Sequence, residues 1–281
     1  MHRRRFCIGV SGCIGSFLAR PAQALPPQAE ATAAQLSDEE MEQFLLNAEI
    51  LDEKRTTTGT TGTRRAKLSD GRITHDAHIQ DIDIYKPLYN TGNRVEADFR
   101  DSYKFNIAAY RVDRLIRLGM VPVSVEREVG RKKASVTWWV DNVQMMEKDR
   151  YQKKIEPPNR ADWNDQMRNA RVFNELVYNT DPNLGNVLIT KDWQVRLVDF
   201  SRAFRATKDI RTPKNLTRVD RRVYDGLKSL EAPALQAKLG PVLRDNEIEA
   251  VLARRDKIIT LFDRAIAKKG EADVICSIEN H

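Results

Sequence analysis

The sequence predicts an α+β fold of two lobes, the first β-rich and the second helical. Three observations carry the prediction. Residues 64–85 read as a hairpin of alternating strands, and residues 120–145 add two more. From residue 161 onward amphipathic helices dominate, interrupted by one short hairpin.

In chain order, "LSDEEMEQFLLNAEIL" opens a helix expected over 37–54. Ser37 and Glu40 have capping-box spacing, Leu36 and Met41 have staple spacing, and Met41, Phe44, Leu45, Ala48 and Leu51 share one face. "RRAKL", the turn "SDG" and the alternating run "RITHDAHIQDIDIY" predict the first hairpin. A helix follows in "DSYKFNIAAYRVDRLIRLG", where Phe105, Ala108, Ala109, Val112, Leu115 and Ile116 recur at helical spacing and Gly119 stops the run. "MVPVSVEREV" and "KASVTWWVDNV" read as strands. Trp163, Met167, Ala170, Phe173 and Val177 define a strong helix over 161–179, and further helices are expected near 217–230, 245–253 and 254–269. The β-rich lobe is thus expected over 55–145 and the helical lobe over 146–281.

Residues 1–24 read as an export signal. A basic start precedes the apolar run Phe6 to Ala19, and Ala22-Gln23-Ala24 has the small-x-small pattern of a cleavage site. The run is short for a membrane span, so no transmembrane anchor is expected after cleavage. Residues 25–36, "LPPQAEATAAQL", read as a flexible tether. The expected location is therefore periplasmic, secreted or the lumen of a secretory pathway.

Removing the leader also corrects the charge. The formal charge is +7, but the leader holds four arginines and no acid, so 43 basic residues face 40 acidic ones, or +3. That balance argues against a nucleic-acid partner. Cys276 would remain the single cysteine, so the mature chain has no intrachain disulfide, and a zinc site is not expected.

The chemistry is concentrated in "YNTDPNLGNVLITKDWQVRLVDF", residues 178–200. Asp181, Asn186 and Asp199 are separated by two short β-like runs. Turns alone explain Asp, Asn, Pro and Gly at such positions. Two carboxylates and an amide also suit magnesium, a hard cation that shares oxygen ligands with phosphates.

With its flanking helix and hairpin, this pattern resembles the protein-kinase-like superfamily. "YNTDPNLGNVLI", "VRLVDFSRAF", "AAYRVDRLIRLGMVPVSVER" and "RRDKIITLFDRAI" are most similar to the branch of phosphatidylinositol 3-/4-kinases, HipA-like proteins and secretory-pathway kinases. The resemblance covers about residues 55 to 268 and implies a two-lobed kinase fold, ATP and Mg²⁺ as cofactors with Mn²⁺ as the alternative metal, and phosphoryl transfer to a hydroxyl of a protein, lipid or small molecule. It implies that Asp181 orients the acceptor or takes its proton, and that Asn186 and Asp199 hold metal. Gly59, Thr60, Thr61 and Gly62 would form the turn over the phosphates, and Trp139 would lie near the adenine.

One departure stands out. The resemblance places a phosphate-binding lysine at Gln80 and its glutamate partner at Asn106. Losing one charge would strand the other, whereas losing both is electrostatically coherent. Either Lys86 (or Lys67) supplies the charge, or the protein is a pseudokinase-like binding module.

Overall fold

Alternation in "RRAKL" and "THDAHIQ" builds the centre of the first lobe. In the computed structural model, which describes residues 36–56, 63–90, 92 and 95–277, β2 (Arg64–Ser69) and β3 (Thr74–Gln80) pair antiparallel and bury Ala66, Leu68, Ala77 and Ile79 on one face. The expected signal, the tether up to residue 35, and Gly59, Thr60, Thr61 and Gly62 lie outside the described residues. All described residues belong to one compact unit.

The helix expected over 37–54 is shorter. The capping box forms as read, with Glu40 N–H donating to Ser37 Oγ (3.2 Å) and Ser37 N–H to Glu40 Oε2 (2.8 Å). However, α1 ends at Asn47 (Asp38–Asn47), and Ala48 turns extended. Residues 49–55 instead form β1 (Glu49–Arg55), which pairs with β2 through a bulge between Ile50 and Asp52. Pairing satisfies the backbone at a free sheet edge, and this outweighs helix propensity in "EILDEKR". Leu51, assigned to the helix face by spacing, is exposed.

The long strand expected through Tyr85 is also two elements. The chain leaves the sheet at Asp81-Ile82, and β4 (Asp83–Asn90) pairs with β5 (Val95–Ser102) as a separate hairpin. Then α2 (Lys104–Leu115) buries Phe105, Ile107, Ala108, Ala109 and Val112. The buried carboxylate of Asp113 accepts the N–H groups of Gly119 (3.0 Å), Met120 (2.8 Å) and Val121 (2.9 Å), fixing the turn after the helix. β6 (Ser124–Val129) and β7 (Lys132–Trp138) complete a five-stranded antiparallel sheet in the order β1-β2-β3-β7-β6, covered by α1 and α2.

β8 (Val143–Met146) straddles the expected lobe boundary at 145, yet it pairs with the second lobe. After α3 (Glu147–Lys153) and α4 (Arg160–Leu176), the expected hairpin forms as β9 (Val187–Thr190) and β10 (Val195–Leu197), and the small sheet has the order β10-β9-β8. Asn159 caps α4 by accepting from Ala161 and Asp162 N–H, each at 3.1 Å.

β11 (Val219–Asp220) leads into α5 (Arg221–Ser229) and then α6 (Ala232–Leu239), a helix the sequence reading did not contain. The two helices expected over 245–253 and 254–269 are one, α7 (Asp245–Lys269), before α8 (Glu271–Val274) and β12 (Ile275–Cys276), which pairs parallel with β11.

Arg254, at the junction of the two expected helices, is fully buried. Its guanidinium donates to the carbonyls of Leu176 (2.7 Å), Arg205 (2.9 Å) and Thr207, joining α7 to the end of α4. Burial pulls its pKa down to about 10. Arg254→Met would strand these carbonyls and is expected to cost about 3 kcal/mol. The measurement is urea unfolding; an unchanged midpoint would show that the buried guanidinium contributes nothing net.

Candidate active site

The register of the β9–β10 hairpin sets the geometry of the site. Leu197 pairs with Val187, so Asn186 and Val198 flank the open end. Val198 N–H donates to Asn186 O (3.0 Å), which places Asn186 beside the residue preceding Asp199. Asn186 closes a 3-10 turn, Leu184–Asn186, and its side-chain amide points back to Asp181 O (3.5 Å). Three residues separated in sequence thus meet at one hairpin end.

Asp181 is held from both sides. Buried Asn179 accepts the Asp181 N–H (3.0 Å) and donates to Asn174 Oδ1 (2.9 Å). Thr180 Oγ1 donates to Arg202 O (2.8 Å), tying the loop to the segment that follows Asp199. Asn183 closes the turn: its N–H donates to Asp181 O (2.9 Å), and its Oδ1 accepts Gly185 N–H (2.8 Å). A Cβ on Gly185 would lie 3.0 Å from Asn183 Oδ1, so the turn favours glycine. The Asp181 carboxylate stays half exposed.

Asp199 has a left-handed backbone (φ 59°), which Asp tolerates better than most residues. It is exposed to solvent. Desolvation by the packed turn pushes its carboxyl above the ordinary range, and the charges of Asp101 and Asp181 add to this, while hydrogen bonds from Ser201 oppose it. Next to it, Phe200 is buried edge-on against Phe173 (5.3 Å between ring centres) and anchors the turn in the core.

The two amides expected in place of a charged pair do meet. Gln80 ends β3 and Asn106 lies in the first turns of α2, both buried. Asn106 Nδ2 donates to Gln80 Oε1 (2.6 Å), and Asn106 Oδ1 accepts the Phe200 N–H (2.8 Å). A neutral relay therefore runs from the sheet through α2 to the turn that carries Asp199.

The structure does not bring the alternative lysines into this group. Lys86 is exposed on β4, with its ammonium 4.4 Å above the Tyr89 ring, and Lys67 is exposed on β2. Neither forms an ion pair among the described residues. Trp139 follows β7, where its N–H donates to Asp76 O (3.2 Å) and its ring carries the Arg65 guanidinium at 4.2 Å. It stands in the connection between β7 and β8.

Sequence reasoning missed Asp101 and Arg202. Asp101 is buried at the end of β5, where its Oδ2 accepts Arg202 Nε (3.1 Å) and its Oδ1 has no partner among the described residues. Arg202 NH1 lies 4.0 Å from Asp181 Oδ2. Neither residue sits in a periodic pattern, and Asp101 became legible only with β5. Among the described residues, no group of three or more His, Cys, Asp or Glu has metal-holding geometry. The donors of Asn186 and Asp199, with acidic neighbours and an orphaned Asp101 oxygen, nevertheless form an all-oxygen, electron-rich set that fits a hard divalent cation.

No family model and no curated protein matches the chain. Solved structures do. Hydra Fam20 with sugar superposes with a TM-score of 0.62 at 15% identity, over 86% of this chain and 93% of that one. The Golgi casein kinase with Mn and ADP bound gives 0.60 at 13% identity, over 85% and 78%. The Helicobacter pylori proinflammatory kinase CtkA gives 0.50 at 11% identity, over 80% and 98%. Identities this low speak to architecture alone, and the architecture agrees in its antiparallel first lobe and helical second lobe. The chain has the protein-kinase-like fold, in the form also found in Fam20 and the Golgi casein kinase.

Proposed function

We propose that the cleft around Asp181, Asn186 and Asp199 binds a nucleoside triphosphate with a divalent metal and transfers its terminal phosphoryl group to a hydroxyl. The observation that carries this reading is the hairpin end itself: it sets Asn186 beside the Asp199 turn, and Thr180 ties the Asp181 loop to the same turn. Support also comes from the Golgi casein kinase, whose structure holds Mn and ADP on the same fold.

Asn186 and Asp199 would hold the metal, which neutralises phosphate charge when bound. Asp181 orients the acceptor hydroxyl and takes its proton as the new O–P bond forms and the bond to the nucleoside diphosphate breaks. Gly59, Thr60, Thr61 and Gly62 are assigned to the phosphate turn, and Trp139 to the adenine side. Residues 1–24 are assigned to export, in keeping with a Golgi neighbour; none of the described helices is long and apolar enough to cross a membrane. The acceptor belongs to the hydroxyl-bearing class.

The Gln80–Asn106 amide pair favours a second reading, a nucleotide-binding module without turnover. Both readings require metal-dependent nucleotide binding. At a hundredfold excess over Kd, ADP with Mn²⁺ or ATP with Mg²⁺ is expected to stabilise the protein by about 2.7 kcal/mol. Asp199→Ala is expected to abolish that gain. A thermal unfolding series reads it directly, and absence of any shift in the unmutated chain would exclude the nucleotide site. A metal that relieves the repulsion at Asp199 competes with a proton, so binding should weaken as the pH falls into the range where this carboxyl titrates.

A further inference from the structure

A cavity of about 210 Å³ lies where the end of α2, the loop after it, α4, β10 and the start of α5 meet. Asp181, Asn186 and Asp199 do not line it. Arg114, Arg117, Arg196 and Arg222 do, with Asp220 as the lining acid. Four guanidiniums around so small a volume would repel one another unless each charge is answered.

Two of them are answered within the protein. Arg114 pairs with Asp113 and Asp38 and donates to Val121 O (3.0 Å). Arg222 Nε lies 3.3 Å from Asp220 Oδ1, which also caps α5 by accepting Arg222 N–H (2.8 Å). The other two are not. Arg117 forms no hydrogen bond or ion pair through its side chain among the described residues, and its backbone is left-handed (φ 60°). Arg196 is partly buried, yet it makes a single side-chain hydrogen bond, to Val195 O (3.0 Å), and no ion pair among the described residues. Asn169 is 1% exposed and also lines the cavity. Its Oδ1 accepts Asp220 N–H (2.9 Å), while its amide N–H groups have no partner among the described residues.

Arg117, Arg196 and Asn169 thus bring to the cavity lining side-chain donors that no described residue accepts. We propose that this cavity is a binding site for a compact phosphate anion, distinct from the nucleotide cleft. The donors come from the loop after α2, from β10 and from α4, so they approach from different sides. A tetrahedral oxyanion presents oxygens to all of them, whereas a planar carboxylate answers one fork well. The volume sits below the roughly 300–1,000 Å³ typical of pockets for drug-sized ligands, which excludes a nucleotide and admits phosphate, pyrophosphate or a small phosphomonoester.

The location gives the site a consequence. Arg117 follows α2, which carries Asn106, and Arg196 lies on β10, which leads to Asp199. Leu197 N–H already joins the two elements through Met120 O (3.0 Å). An anion held by both arginines ties the same pair of elements a second time.

The test is isothermal titration calorimetry of the full chain at low salt in metal-free buffer, with orthophosphate, pyrophosphate and glycerol phosphate as separate titrants. Saturable binding of at least one is expected, and the tightest of the three identifies the source of the phosphate. Arg196→Gln with Arg117→Gln is expected to weaken it at least about tenfold, the loss of one charge-assisted hydrogen bond. Arg117→Gln alone, at an exposed and unpartnered side chain, keeps the fold and is expected to weaken binding in the same direction. Asp199→Ala is expected to leave it unchanged, which separates this site from the nucleotide cleft. No saturable binding of any titrant, survival of binding in the double variant, or its loss in Asp199→Ala each overturns the proposal.

Discussion

Asn106→Glu is expected to destabilise the protein by about 3 kcal/mol, and adding Gln80→Lys is expected to restore most of that loss. The reasoning starts from burial. Asn106 is 6% exposed and Gln80 1%, so a lone carboxylate or ammonium at either position is a charge taken from water without an answer. Asn106 donates to Gln80 and accepts from Phe200 N–H; a carboxylate keeps the second contact and loses the first. Gln80→Lys by itself should carry a penalty of similar size. Together the two substitutions rebuild the lysine–glutamate pair at the place where the resemblance expects it. A double-mutant cycle by urea unfolding measures the coupling, and additive losses would mean that the two side chains do not answer one another. The same double variant tests the two functional readings. If the missing phosphate-facing cation limits nucleotide affinity, the variant binds ADP with Mn²⁺ more tightly than the unmutated chain. Equal affinity would show that the amide pair already suffices.

What the sequence made legible follows from how local each signal is. Asp181, Asn186 and Asp199 lie within one helix–loop–hairpin unit, so spacing, turn residues and strand alternation all bear on them, and the expected hairpin forms. Gln80 and Asn106 were placed against each other by resemblance, and their hydrogen bond agrees. The misses are tertiary in origin. "RITHDAHIQDIDIY" alternates without interruption, and nothing local marks Asp81-Ile82 as the point where the chain leaves one sheet for another hairpin. Asp101 opens the helix expected in "DSYKFNIAAYRVDRLIRLG", but β5, which nothing local announces, claims it and sets its contact with Arg202. Leu51 fits the helix face by period, yet sheet pairing claims it. Nothing local in "ARRD" marks Arg254 as buried; only the end of α4 and the loop near Arg205 reveal the carbonyls that hold it. Lys86 was considered because a cation was needed; its strand places it over Tyr89 instead.

Asp181→Asn separates chemistry from binding more sharply than any other single change. Its backbone does the structural work of the loop: Asp181 N–H is held by Asn179, and Asp181 O receives Asn183 N–H and the Asn186 amide. An amide side chain leaves all three contacts in place. It also keeps an oxygen for Asn183 Nδ2, which lies 3.4 Å from Asp181 Oδ1. What it removes is the ability to accept a proton, and one negative charge beside Arg202 and Asp199. Stability and metal-dependent ADP binding should therefore be preserved or slightly improved, because Asp199 loses a like-charged neighbour. Turnover, read as release of ADP from ATP or as phosphate incorporated into an acceptor, should fall by about 10²–10⁴-fold, the usual contribution of a positioned general base. Loss of nucleotide binding instead would place Asp181 among the ligand-holding groups and remove it from the role of base. An unmutated chain that binds ADP with Mn²⁺ but releases none from ATP would decide for the binding module. Asp181 would then be a turn residue whose carboxylate serves Arg202, and the Gln80–Asn106 pair would be the reason the fold holds a nucleotide without spending it.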